Sequence, residues 1–285
     1  MKLQTPVIDD KCKVNISYKD SIMMLGSCFS DSIGSQLDNY GFDICINPFG
    51  TIYNPESILA SIKRLINRNP FTAEDCVEIG AGDSRICSFS HHTSYARGSV
   101  EDFLNNANER LNAAADFFSK CNKVVIILGT SWCFRHLEKD FIVSNCLKRN
   151  PKEFRRELLS VERSIEILNE ILALCPDKEF IFMLCPIRHA KDGAHGNQIS
   201  KASLLISAES VMNERCGYFP AYEIMMDELR DYRFYTEDMY HPTNQAINYI
   251  VERLFNWALP QQEHETLKEK IRAYKQSRHI SSSCN

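Results

Sequence analysis

Several features that would place this chain at once are missing. Its 285 residues hold no apolar run that approaches the length of a membrane span. The opening stretch, Met1 to Asp10, lacks the apolar core of a secretory signal peptide. No basic excess exists: 33 Lys and Arg stand against 37 Asp and Glu, for a net charge of -4, so the footprint of a nucleic-acid binder is absent. The 12 cysteines are numerous but scattered, and none forms a Cys-x-x-Cys pair, so their spacing argues against a zinc site. Cys45, Cys175 and Cys185 lie in apolar runs, where reduced thiols serve as small core residues. Together these absences lead us to expect a cytoplasmic protein with no membrane span, no nucleic-acid partner, no metal and no cofactor. They leave its oligomeric state open.

What is present is a core and an alternation. Hydrophobic residues make up 44% of the chain, enough for one elaborated domain. Short apolar runs at 22–25, 43–46, 123–128, 179–184 and 218–224 read as strands. Helical patterns fall between them at 29–40, 55–67, 100–119, 161–174, 201–216 and 242–259, the last opening at Pro242. Such alternation predicts a mostly parallel sheet covered on both faces. The Gly-, Ser-, His- and Asp-rich stretch 70–98 reads as an insertion with short β pieces, and the segment from about 261 as a polar tail. With no repeat, low-complexity tract or linker, residues 1–285 read as a single domain.

The chemistry concentrates in Gly26-Ser27-Cys28-Phe29-Ser30. This is a strand, a glycine turn bearing small nucleophilic side chains, then a helix. A thiol there meets the positive end of the helix dipole, which predicts a lowered pKa and a setting for oxyanion chemistry. In parallel sheets, sites gather at the carboxyl ends of strands. Three further segments end there: Asn47 to Pro55, Leu128 to Trp132, and Asp238-Met239-Tyr240-His241-Pro242. Asp-x-x-His matters because one turn brings the carboxylate onto one imidazole nitrogen and leaves the other to deprotonate a nucleophile.

These segments resemble the GSCFA family, within the SGNH/GDSL hydrolase-like superfamily. The likeness rests on Gly-Ser-Cys-Phe-Ser at 26–30, Asn47-Pro48-Phe49-Gly50, Tyr53-Asn54-Pro55 and Gly129-Thr130-Ser131-Trp132. It continues through Asn145-Cys146, Cys185-Pro186-Ile187-Arg188-His189, Ser200-Lys201-Ala202, Tyr218 to Ile224, Asp227 to Tyr235 and Asp238 to Pro242. The superfamily implies a flavodoxin-like three-layer α/β/α sandwich and an ester or thioester substrate of small-molecule size. By register, Ser27 stands at the first block's aspartate and Cys28 at its serine nucleophile. Ser131 stands where the third block has an oxyanion-binding asparagine. Leu147 stands where the family pattern often has a histidine.

Each candidate has a plainer reading beside the functional one. Cys28 is a nucleophile or a buried small residue, with Ser27 as its rival or as a helix cap. Asp238 and His241 are orienter and base, or a capping pair. Arg188 and His189 position substrate, or pair with acids near Asp227 to Asp231. Gly50, Asn54, Gly129 and Ser131 are candidate oxyanion or substrate-binding groups, or turn residues. His91 and His92 read as surface histidines, and Trp132 as core. The expected function is a hydrolase or acyltransferase working through a Cys (or Ser)-His-Asp triad. The alternative is an inactive module of the same fold that binds an acylated carbohydrate or similar ligand.

Overall fold

The structure, a computed structural model, describes residues 5–8 and 14–282. Most of the opening stretch, and Cys12 and Cys284, lie outside the described residues. The first apolar run forms β1 (Ser21–Gly26), buried along nearly its whole length as a central parallel strand must be. One residue later α1 (Cys28–Asn39) begins, followed by β2 (Asp43–Ile46). α2 (Pro55–Asn67) has a proline in its first turn and a cap from Asn54, whose Oδ1 accepts from Ser57 N at 2.9 Å. The 70–98 stretch holds the antiparallel pair β3 (Cys76–Glu78) and β4 (Ile86–Ser88). Then come α3 (Val100–Lys120) and the fully buried β5 (Lys123–Leu128).

The chain next makes a second sheet from β6 (Trp132–His136), β7 (Phe141–Val143) and β8 (Phe154–Leu158), antiparallel in the order β7-β6-β8. α4 (Val161–Leu174), β9 (Glu179–Leu184), α5 (Gly193–Ser210) and β10 (Cys216–Phe219) return it to the main sheet. A short α6 (Ala221–Glu223) runs into a π-helical turn, Ile224–Glu228. α7 (Asn244–Ala258) and α8 (His264–Ser282) complete the described residues.

The main sheet is five-stranded and parallel, in the order β10-β9-β5-β1-β2. Counted along the chain and read from β2, this is the flavodoxin-like order 2-1-3-4-5. Alternate residues of each strand feed separate cores on the two faces. Met23, Leu25, Val124, Ile126, Phe180 and Phe182 point to the side of α2, α3, α4 and α5. Ile22, Met24, Val125, Ile127, Ile181 and Met183 point to the side of α1 and α7. The result is the expected α/β/α sandwich. The strand order reverses between β1 and β5, which is where such a sheet opens a crevice beyond its carboxyl ends.

Three expectations need correction, and one segment gains detail. The strand expected at 218–224 is Cys216–Phe219, because the chain turns at Pro220 into α6. The helix expected at 201–216 is Gly193–Ser210, since the Gly, His and Asn residues of its first turns weaken its pattern without preventing the helix. The last helix of the sandwich starts at Asn244, two residues beyond Pro242, with Thr243 as its cap. The polar tail includes the helix α8, whose Leu267 is buried against the α7 face.

Candidate functional site

The turn after β1 is fixed by close packing. Gly26 has φ +149, and a Cβ there would lie 2.3 Å from Ile127 O, so only glycine fits. Gly26 N donates to Asn47 Oδ1 at 2.9 Å, and Asn47 Nδ2 donates to Asp31 Oδ1 at 2.7 Å. Asn47 therefore ties the end of β2 to the end of β1 and to the first turns of α1. Ile52 N donates to Gly26 O at 2.8 Å and closes the same corner.

Ser27 and Cys28 part company at this point. Ser27 occupies the N-cap position, but its hydroxyl caps nothing. It is 0% exposed, and its Oγ is buried with no hydrogen-bond partner among the described residues. Cys28, the first residue of α1, is only half-buried, and it and Ser27 both border a cleft of about 580 Å³. Its thiol is pushed up to about 11 by burial, with Cys185 and Asp31 adding to the effect. The amides of Cys28 and Phe29 at the helix start pull the other way and lose. The lowered pKa expected from the helix dipole is thus reversed, because desolvation of the thiolate outweighs two N–H groups.

Asp238 and His241 sit across the same crevice, on the loop before α7. His241 Nδ1 donates to Asp238 Oδ2 at 2.5 Å. The other carboxylate oxygen accepts from the N–H groups of Tyr240 and His241 and from Thr236 Oγ1, at 2.9, 3.0 and 2.8 Å. These bonds, led by the His241 N–H, hold the Asp238 carboxyl far below the usual carboxylate range. Met239 takes the left-handed φ of +62 that the tight loop demands. With Nδ1 engaged, Nε2 is the free nitrogen of the ring, and His241 lines the cleft together with Cys28.

The remaining candidates divide. Asn54, Arg188 and His189 line this cleft; Gly50, Gly129 and Ser131 do not. Asn54 spends its oxygen on the α2 cap, while its Nδ2 donates to no group of the described residues. Gly50 N is committed to Asn47 O at 2.7 Å, and a Cβ on Gly50 would meet His92 Cβ at 2.4 Å. Gly129 N donates to Tyr53 O at 3.0 Å. Ser131 is 0% exposed with an unpartnered Oγ, and its N–H donates to Ser200 Oγ at 2.8 Å. Arg188 makes no ion pair with the acids at 227–231; its Nη2 lies 3.7 Å from Met226 Sδ. His189 is pushed down to about 4 by burial, helped by Lys201 and His241, so it is neutral at neutral pH.

His91 is no surface residue. It is 0% exposed, in a cage of Phe49, Phe71, Tyr95 and Phe103, with Nδ1 2.7 Å from Ser88 Oγ. Burial drives it down to about 3, and Arg64 and Arg110 add to this. Trp132 is half-buried and forms a cleft wall, its ring 4.1 Å from the Arg156 guanidinium.

Two features escape a reading of the sequence. Lys201 is 3% exposed, and its Nζ donates at 2.7 Å to both Gly129 O and Cys185 O, joining the ends of β5 and β9 beneath the cleft. It has no carboxylate partner among the described residues; burial lowers its pKa, while Cys185 and Cys28 oppose that. Only its place in Ser200-Lys201-Ala202 singled it out in sequence. The other feature is the β6–β8 sheet, which supplies Trp132, Phe134 and Arg156 to the cleft.

Among the described residues no group of three or more His, Cys, Asp or Glu could hold a metal ion. Nor is any helix of the described residues long and apolar enough to cross a membrane. In a comparison with family models, the GSCFA family matches residues 21–254, a span that begins at β1 and ends within α7. A search of curated proteins returns no match.

Proposed function

The chain belongs to the GSCFA family, and on that footing we propose that it is an acyl hydrolase or acyltransferase with a Cys28–His241–Asp238 triad. One observation carries the reading. A thiol at the end of β1 and an imidazole already oriented by a carboxylate line one cleft at the switch point of the sheet. The SGNH/GDSL-like placement and a cytoplasmic location belong to the same proposal, the first supported by the strand order and the position of Asp-x-x-His before α7.

With its pKa near 11, Cys28 is a thiol at neutral pH, so its proton must leave during attack. His241 Nε2 takes that proton as Sγ bonds to the carbonyl carbon of an ester or thioester. The first amides of α1 and Asn54 Nδ2 are the free donors for the oxyanion. Collapse breaks the bond to the leaving alkoxide or thiolate, which receives the proton from His241. Water or an acceptor hydroxyl or amine then attacks the Cys28 thioester, again deprotonated by His241, and frees the thiol. Aminolysis favours a thioester over an oxygen ester, which tilts the reading toward transfer.

The test is turnover of 4-nitrophenyl acetate and of a simple acyl thioester by the wild type and by His241→Ala. Loss of turnover in the variant supports the triad, and equal turnover removes it. A second reading, an inactive module that binds an acylated ligand, is favoured by the elevated thiol and by the inward-turned Ser131. Thermal stabilisation by acylated sugars or thioesters, without turnover, would select it.

A further inference from the structure

The charge in the crevice runs against the charge of the chain. The whole sequence carries -4. The cleft beside Cys28 is instead lined by the cations Arg156, Arg188 and Lys191 and by one carboxylate, Asp192. That carboxylate is already matched, since Arg156 Nη2 binds Asp192 Oδ1 and its guanidinium stacks on Trp132. Asp238 is not part of the cleft's lining, and its two oxygens are engaged by His241, Tyr240 and Thr236. Arg188 and Lys191 therefore face the cleft with no carboxylate partner among the described residues. Arg188 meets the sulfur of Met226 and the neutral phenol of Tyr235, whose ring lies 6.0 Å from its guanidinium and whose hydroxyl it hydrogen-bonds.

The cleft also continues past these cations. A second cavity of about 430 Å³ shares Arg188, His189, Ala190 and Tyr240 with the first and contains no carboxylate in its lining. Arg188 thus stands at the junction of two compartments. Cys28, Trp132, Phe134, Val143 and Ile187 make the first compartment largely apolar on the side of the β6–β8 sheet. His189, neutral at neutral pH, adds no charge at the junction.

From this arrangement we propose that the substrate is an acyl ester or thioester whose non-acyl part carries a phosphate or carboxylate, bound by Arg188 and Lys191. The inference rests on the acyl chemistry proposed above. The acyl chain lies in the apolar compartment against Trp132 and Phe134. The anion sits at the junction, and the remainder of the leaving group extends into the second cavity. A guanidinium suits either anion, because its fork matches both carboxylate and phosphate.

Three butyryl thioesters test this, made from N-acetylcysteamine, 3-mercaptopropionate and 3-mercaptopropyl phosphate. The expected result is a kcat/KM at least about tenfold higher for an anionic thioester than for the neutral one, carried by KM and falling with added salt. Whichever of the two anionic thioesters is preferred identifies carboxylate or phosphate. In the Arg188→Gln/Lys191→Gln double variant the anionic-to-neutral ratio falls to about one, and in Arg188→Glu/Lys191→Glu it inverts. Calorimetric binding of butyl phosphate and of butyrate to Cys28→Ala, and to the same protein with the double substitution, reads the anion site without turnover.

Thioester turnover with no anionic preference and no salt effect overturns the anion site and leaves the acyl chemistry standing. Anion binding that depends on Arg188 and Lys191, without turnover of any thioester, keeps the site and overturns the acyl chemistry. Neither turnover nor anion binding overturns both.

Discussion

Asp238 grips His241 twice, through Oδ2 to the ring Nδ1 at 2.5 Å and through Oδ1 to the backbone N–H at 3.0 Å. Two bonds from one carboxylate fix both the tautomer and the orientation of an imidazole that is itself half exposed. Replacing Asp238 by Asn offers the ring an amide in place of an anion and no longer selects the Nδ1–H tautomer. Activity should fall by about 10³–10⁴, with only a small change in melting temperature because the pair is solvent-exposed. Steady-state kinetics beside a thermal melt separates the two effects; a large melt shift with intact kcat would make the pair a structural clasp.

The Cys28 thiol gives a pH signature. Burial holds it up at about 11, so roughly one molecule in ten thousand carries the thiolate at pH 7. Mass-resolved alkylation of Cys28 by iodoacetamide should therefore keep accelerating through pH 10. A plateau below pH 8 would show instead that the helix amides dominate.

His91 should make stability acid-sensitive. Its folded pKa of about 3 lies below the ordinary 6.5, so the unfolded chain takes up the proton first. Stability is complete above pH 6.5 and is lost as pH falls from there toward 3. Between pH 7 and pH 5 this amounts to about 2 kcal/mol. His91→Phe fits the aromatic cage but takes the ring nitrogen from Ser88 Oγ and leaves that hydroxyl the Ser90 N–H at 3.3 Å, costing about 1 kcal/mol at pH 7. Denaturant titrations at both pH values should show that the variant loses less on acidification than the wild type, with His189 accounting for a shared remainder. Equal losses would place the acid sensitivity elsewhere.

Lys201→Met removes the donor shared by Gly129 O and Cys185 O. Two carbonyls at the ends of β5 and β9 lose this shared donor, for a loss of about 1–3 kcal/mol. Chemical denaturation measures it; an unchanged midpoint would mean that water replaces the ammonium.

The sequence told the fold through its buried strands. Ile22 to Leu25, Lys123 to Leu128 and Glu179 to Leu184 are short apolar runs between helical patterns, and each became a central strand. The β6–β8 sheet was illegible because its strands mix Arg, Glu and His with apolar residues and pair with one another across a loop. Cys28, Asp238 and His241 were legible because local rules, a glycine turn and a one-turn Asp-x-x-His, place them. The burial of Ser131, His91 and Lys201 was not, since it depends on distant partners: Ser200, the Phe49–Phe71–Phe103 cage, and two strand ends. The thiol pKa failed for the same reason, for the dipole is local and the desolvation is tertiary.

In the proposed reaction Cys28 is acylated with His241 as its base. Peptide mapping by mass spectrometry after brief reaction with a 4-nitrophenyl ester, on the wild type and on His241→Ala, tests it most directly. An acyl adduct on the peptide at Cys28 is expected in the wild type, with its near absence in the variant. An adduct-free Cys28 in an enzyme that still turns over the ester, or equal acylation without His241, would contradict it.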